Sequence, residues 1–162
     1  MVLIDIAALI LNPKKENSYY KDLHTLNSLI DSSISESYAN INNSLLSDTR
    51  FFLDHIEIVK RQRDILENLY SHISQLSYAP PQAHIISAFI HKIGHTAFEA
   101  ETGNILLEEL NTLMLNMKNQ PLPINRMEFE NRAILFSCLN ELKQFLINRK
   151  YSQTIRDNHF YK

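Results

Sequence analysis

The stretch 122–136, LPINRMEFENRAILF, limits this chain's fold more than any other. Pro121 and Pro123 bracket Leu122 and forbid helix in the segment before it, because proline fixes φ and restricts its predecessor. Asn125 then stands where its side-chain oxygen can accept an orphan N–H of the following turn. Glu128, three residues on, can reach back to the N–H of Asn125, which is a capping box with Asn in the Ser/Thr position. The cap should stabilise the helix start by about 1 kcal/mol. Arg126 and Glu130 are four apart, as are Glu128 and Arg132, the second pair having the better orientation with the acid N-terminal. Behind the cap, Phe129, Ala133, Phe136, Leu139, Leu142 and Leu146 recur at steps of three and four, the period of one helix face. A long helix entered through a rigid turn is predicted.

The rest of the chain continues in the same idiom. With 2 Gly and 5 Pro in 162 residues, breakers are scarce, which favours long helices over a many-turned β fold. Apolar residues at Leu23, Leu26, Ile30, Ile34, Tyr38, Ile41 and Leu45 predict an amphipathic helix over 18–46, followed either by a break or kink near Ser47-Asp48-Thr49, where Ser47 or Asp48 can cap, or by continuous helix through this point. A second stripe runs through Phe52, Ile56, Val59, Leu66, Leu69, Ile73 and Leu76, with Gln62 or Arg63 in its seam, where a polar group needs a partner or water. Tyr78-Ala79-Pro80-Pro81 stops it. The next helix begins near Gln82 and carries Ile86, Phe89, Ile93, Ala97 and Ala100 on one face. Gly94 either weakens that helix by about 1 kcal/mol or marks a close helix approach. Thr102-Gly103 suits a C-cap with Gly103 left-handed. Leu106, Leu107, Leu110, Leu113, Met114 and Met117 form a short helix before the Pro121 turn. No strand-type alternation persists, so the fold class expected is all-α, an antiparallel bundle of long helices.

Val2–Leu11, VLIDIAALIL, is apolar apart from Asp5 and is followed by Asn12-Pro13 and paired lysines. A spanning helix needs about 20 such residues, so this run is too short to cross a bilayer by itself. Composition favours a short buried helix. The order apolar helix, breaker, lysines also fits the cytoplasmic end of a membrane helix. No signal peptide is apparent. A net charge of -2 gives no nucleic-acid footprint.

The run 125–136 resembles the signature near the end of the C-terminal domain of the bacterial aromatic acid exporter family. There a Leu-Pro turn precedes a capping Thr, then Arg, an acid, Phe, Glu, Asn, Arg, Ala and apolar residues. Asn125 takes the place of the Thr and keeps its capping chemistry. Upstream, Glu99-Ala100-Glu101-Thr102-Gly103 with Leu106-Leu107 is similar to the family's Glu-x-Asn-Thr-Gly-x-x-Leu-Leu, Glu101 departing from the Asn. Lys60-Arg61-Gln62 sits where the family often has a basic pair and a Gln. The resemblance implies a cytosolic domain that follows a multi-helix membrane domain. On this reading residues 1–12 are the stub of the last membrane helix, 13–150 the helical bundle and 151–162 a polar tail that extends the last helix briefly. The stub must fold back onto the bundle or pair with another copy, and self-association is expected over a monomer that displays it. The function implied is assembly, regulation or gating beside a membrane transport domain, at the cytoplasmic face of the cell membrane. The partners implied are that membrane domain, a second copy of the chain and an aromatic carboxylate. The alternative is a free-standing helical adaptor that binds a partner helix.

Candidate ligand or interaction residues are Arg126, Glu128, Glu130 and Arg132 at the capped turn, and Lys60 and Arg61, with Arg63 nearby. Capping and ion pairing explain the first four, and balancing acids at helical spacing explain the basic cluster. His84, His91, His95 and Glu99, spaced seven, four and four, form the best metal-ligand pattern in the chain. Without a Cys pair it reads as a solvated polar face, and no tightly held metal or other cofactor is expected. Cys138 lies in an apolar helix context, where a thiol is inert packing. With no phosphate loop, nucleophile elbow or metalloprotease spacing, the chain is not read as an enzyme.

Overall fold

In a computed structural model of the chain, the described residues are 2–13, 19–41, 46–96 and 102–160. They form six helices and no strand: α1 (Val2–Leu11), α2 (Tyr19–Ile41), α3 (Leu46–Ser74), α4 (Gln82–His95), α5 (Thr102–Lys118) and α6 (Arg126–Phe160). The helices run antiparallel to their main neighbours. Asn27 of α2 donates to Glu67 of α3 at 2.6 Å, and Asp31 meets Arg63 at 3.1 Å, so numbers rise along one helix as they fall along the other. Asn68 of α3 reaches Glu141 of α6 at 3.4 Å, and the Ser77 N–H beyond α3 reaches Asn131 at 2.9 Å. The all-α antiparallel bundle is as expected.

The core is a continuous apolar cluster in which Ile6 and Ile10 of α1, Leu69 and Ile73 of α3, Ile86, Ile90 and Ile93 of α4, Leu106 and Leu110 of α5, and Leu135 and Leu139 of α6 are all sealed from solvent. Helix α1 takes the fold-back course. It lies along α4, where Ser87 Oγ donates to the Ala7 carbonyl at 2.6 Å. Gly94 marks a close approach: a Cβ there would stand 3.3 Å from Ile4 Cγ1 and 3.5 Å from Leu3 Cβ. Residues of α1 thus share one apolar cluster with those of α3, α4, α5 and α6.

Several details differ from the sequence expectation. The buried stripe of α6 is Asn131, Leu135, Cys138, Leu139, Leu142 and Leu146, while Phe129 and Ala133 are exposed and Phe136 half-buried. Apolar residues occur all round the first turns of α6, and its contacts with α3, α4 and α5 select which of them are covered. Phe52, expected in the α3 stripe, is also exposed. Ser47 and Asp48 lie within α3 as described instead of capping it, and residues 42–45 lie outside the described residues. Helix α4 ends at His95, where the Thr96 N–H and hydroxyl both donate to the Lys92 carbonyl at 3.0 Å. Gly103 has no positive φ and lies inside the first turn of α5, so it is not a left-handed C-cap. Ala97 and Ala100 lie outside the described residues. The last helix continues to Phe160, well past the start of the expected tail, because no Gly or Pro follows Pro123.

Candidate functional site: the capped turn between α5 and α6

The turn that joins α5 to α6 spends its polar groups on itself. Asn125 Oδ1 accepts the Glu128 N–H at 2.9 Å, which is the predicted cap. The Phe129 N–H donates to the Asn125 carbonyl at 3.1 Å and closes the first helical turn. The reciprocal half differs from expectation: Glu128 Oε2 accepts the N–H of Ile124 at 2.8 Å, one residue before the N-cap. Its other oxygen pairs with Arg132 Nη2. Arg132 Nη1 then reaches back to the Pro121 carbonyl at 2.7 Å, so one guanidinium ties the turn to α6 at both ends. Arg126 and Glu130 form an exposed pair at 2.7 Å.

These contacts set the electrostatics. The Ile124 N–H, helped by Arg132, holds the Glu128 carboxyl below the usual carboxylate range. Glu130 raises the Arg126 guanidinium further above its already high value. Asn131, almost wholly buried, was not singled out from the sequence. Its amide donates to the Met127 carbonyl at 2.8 Å and its oxygen accepts the Ser77 N–H, locking the start of α6 to the connection after α3. A polar residue in a buried position was the available signal, but the burial itself was not readable from spacing.

Beside the exposed Arg126–Glu130 pair, the turn also presents apolar side chains to solvent. Leu122 is 89% exposed and Ile124 91%, with Met127 and Phe129 beside them. A shallow groove of about 230 Å³ opens here between Met117, Lys118, Leu122, Phe129, Arg132 and Phe136. The Lys118 ammonium lies 5.5 Å from the Phe136 ring centre, within cation–π range. Such a surface suits docking. It holds no nucleophile beside a base. Cys138 is buried in the core, and desolvation pushes its thiol up to about 12.

The other candidates lie elsewhere. Lys60 and Arg61 are on α3, several turns from the end that meets the start of α6, so the two basic groups do not converge. Arg61 pairs with Glu57 at 3.2 Å, and Lys60 sits 5.9 Å from the Tyr38 ring centre. Arg63, in the seam, finds Asp31 and Asp64 at 3.1 and 3.2 Å. On α4, His91 and His95 are in contact, His84 is exposed two turns earlier, and Glu99 lies outside the described residues. No group of three metal-ligating side chains occurs among the described residues.

Residues 1–150 match the family described as "Putative aromatic acid exporter C-terminal domain". A curated relative, "Uncharacterized protein YqjA" of Bacillus subtilis (strain 168), is 26% identical over 136 residues, covering 84% of this chain. The chain spans only 42% of that relative's length. A solved structure, "Crystal structure of putative membrane protein from Clostridium difficile 630", is 76% identical with a TM-score of 0.89, over 94% of this chain and 89% of that one.

Proposed function

This chain belongs to the family of aromatic acid exporter C-terminal domains, and from that premise we propose that it works as the extramembrane regulatory and assembly domain of a membrane transport protein. No helix among the described residues is long and apolar enough to cross a membrane. The transport path would then belong to sequence beyond this domain, in keeping with the share of the Bacillus relative left uncovered. We place the domain at the cytoplasmic face, entered from the membrane part through α1.

The observation that carries this reading is the capped turn. Asn125, Glu128 and Arg132 brace the turn with hydrogen bonds to its own backbone, and Leu122, Ile124, Met127 and Phe129 are exposed on it. An apolar edge on a turn braced by these hydrogen bonds is suited to docking against a partner surface. The partner proposed is the membrane part of the same full-length protein. Movement of that contact would give the domain its gating role. A second copy of the chain and an aromatic carboxylate are the further partners the family suggests. For the latter, Lys118 beside Phe129 and Phe136 offers a cation and rings.

The test is a Leu122→Ser, Ile124→Ser pair in the full-length protein. Both side chains are exposed, so the stability of the domain should stay within about 0.5 kcal/mol of wild type. Export of an aromatic carboxylate from cells should fall. Unchanged export, with the protein present at normal level, would remove the docking role. Specific capture of a soluble helical partner, lost in the same variant, would favour the adaptor reading instead.

A further inference from the structure

We propose that His91 and His95 form a bidentate imidazole site on α4 that holds one borderline divalent transition cation, such as Cu²⁺, Ni²⁺ or Zn²⁺, in exchangeable form. The inference is independent of the transport reading and rests on the geometry of the pair. Residues four apart lie above one another on a helix face, and both rings are exposed. Their Nε2 atoms are 3.3 Å apart, with ring centres at 4.4 Å and planes inclined by 52°. Two imidazole nitrogens bound to a shared Zn²⁺ at about 2.0–2.1 Å, at a tetrahedral angle, lie about 3.3–3.4 Å apart, and at the right angle of a tetragonal Cu²⁺ or Ni²⁺ site about 2.9 Å apart. The observed separation is close to the tetrahedral value and is also that of a hydrogen bond between the two rings; a cation would replace that contact, the exposed rings opening from their 4.4 Å centre separation to converge on it.

The support is rigid. Ile90 and Ile93, on the same turns of α4, are fully buried in the core, so the two rings project from a fixed helix face. His95 is the last residue of α4, where the helix dipole favours a positive charge. Lys92 is the fixed cation adjacent to His91 in sequence. Its ammonium is held by both carboxylate oxygens of Glu109 on α5, at 2.6 and 2.8 Å, which offsets its repulsion of a bound metal.

The chemistry selects the ligand class. Neutral imidazole suits Cu, Ni and Zn, while Ca²⁺ and Mg²⁺ demand oxygen ligands that these side chains do not supply. Two protein ligands leave the remaining positions to water. The cation is thus held less firmly than in four-ligand structural sites.

The experiment is calorimetric titration of Ni²⁺ and Cu²⁺ into the complete, tag-free chain in a non-coordinating buffer. One cation per chain is expected, with Cu²⁺ favoured. His91→Ala and His95→Ala should each lower affinity at least about tenfold, because either change removes the intramolecular second ligand. His84→Ala and His72→Ala should leave it unchanged. Electron paramagnetic resonance of the Cu²⁺ form should report two nitrogen ligands in wild type and fewer in His91→Ala. Since both rings are exposed, the far-ultraviolet spectra of these variants should match wild type. No saturable binding at millimolar cation, equal binding in His91→Ala, or loss of binding in His84→Ala would each overturn the proposal.

Discussion

Replacing Ile6 with alanine should destabilise the bundle by about 3 kcal/mol. Ile6 is fully sealed in the core that α1 shares with α3 and α4. The change removes three carbons from the interior, each worth about 0.8 kcal/mol in transfer. The space they leave adds a cavity term, because the surrounding helices relax only in part. With a urea slope of about 2 kcal/mol per molar, the unfolding midpoint should fall by about 1.5 M at unchanged slope. Ala8→Ser is the control: Ala8 is on the same helix but exposed, and its effect should stay within about 0.5 kcal/mol. Denaturant titration followed by circular dichroism makes the measurement. If Ile6→Ala shifts the midpoint no more than Ala8→Ser does, α1 is not part of the core and the account of residues 2–11 fails.

Three further outcomes are expected. Asn125→Ala should cost about 1 kcal/mol and Asn125→Thr much less, since threonine also caps; equal midpoints for all three proteins would show that the bond to the Glu128 N–H is not stabilising. The Glu128 carboxyl sits below its ordinary value of 4.5 in the folded state, so its contribution is complete above that pH and is lost as pH falls through the folded value. Stability of Glu128→Gln should accordingly vary less between neutral pH and acid, and acid limbs of equal slope in the two proteins would contradict this. Cys138, buried with its thiol pushed up to about 12, should resist a disulfide reagent at pH 8 in the native protein and react fully on unfolding; rapid native reaction would contradict its place in the core.

What the sequence revealed divides along a physical line. The Asn125 cap depends on residues three apart in the chain, and it was legible before any packing was known. The same holds for the ion pairs at Arg126–Glu130 and Glu128–Arg132. Glu128 nevertheless took the N–H of Ile124, because the conformation of the Pro121–Asn125 turn decides which donor comes within reach. The buried face of α6 was less legible. Phe129, Ala133 and Phe136 are as apolar as Leu135, Leu139 and Leu142, and only the neighbours of α6 distinguish them. Arg132 bridging to Pro121 and Arg149 donating to the Thr96 carbonyl and toward Thr102 Oγ1 are contacts set by tertiary approach. Helix α1 shows the same limit. Its ten apolar-rich residues suit a membrane stub and a core helix alike. Its close approach to α4 falls at Gly94, a residue ninety positions later than Ile4.

On the proposed function, the capped turn presents its apolar edge to the membrane part of a longer protein. Hydroxyl-radical footprinting tests it directly, because it labels exposed side chains irrespective of backbone hydrogen bonding. In the isolated 162-residue chain, Leu122, Ile124 and Met127 should be labelled rapidly, as their exposure requires. In the full-length protein in membranes, these three should be protected severalfold, while exposed Ile85 and Tyr151 keep their rates. Equal labelling of Leu122, Ile124 and Met127 in the two forms would contradict the claim.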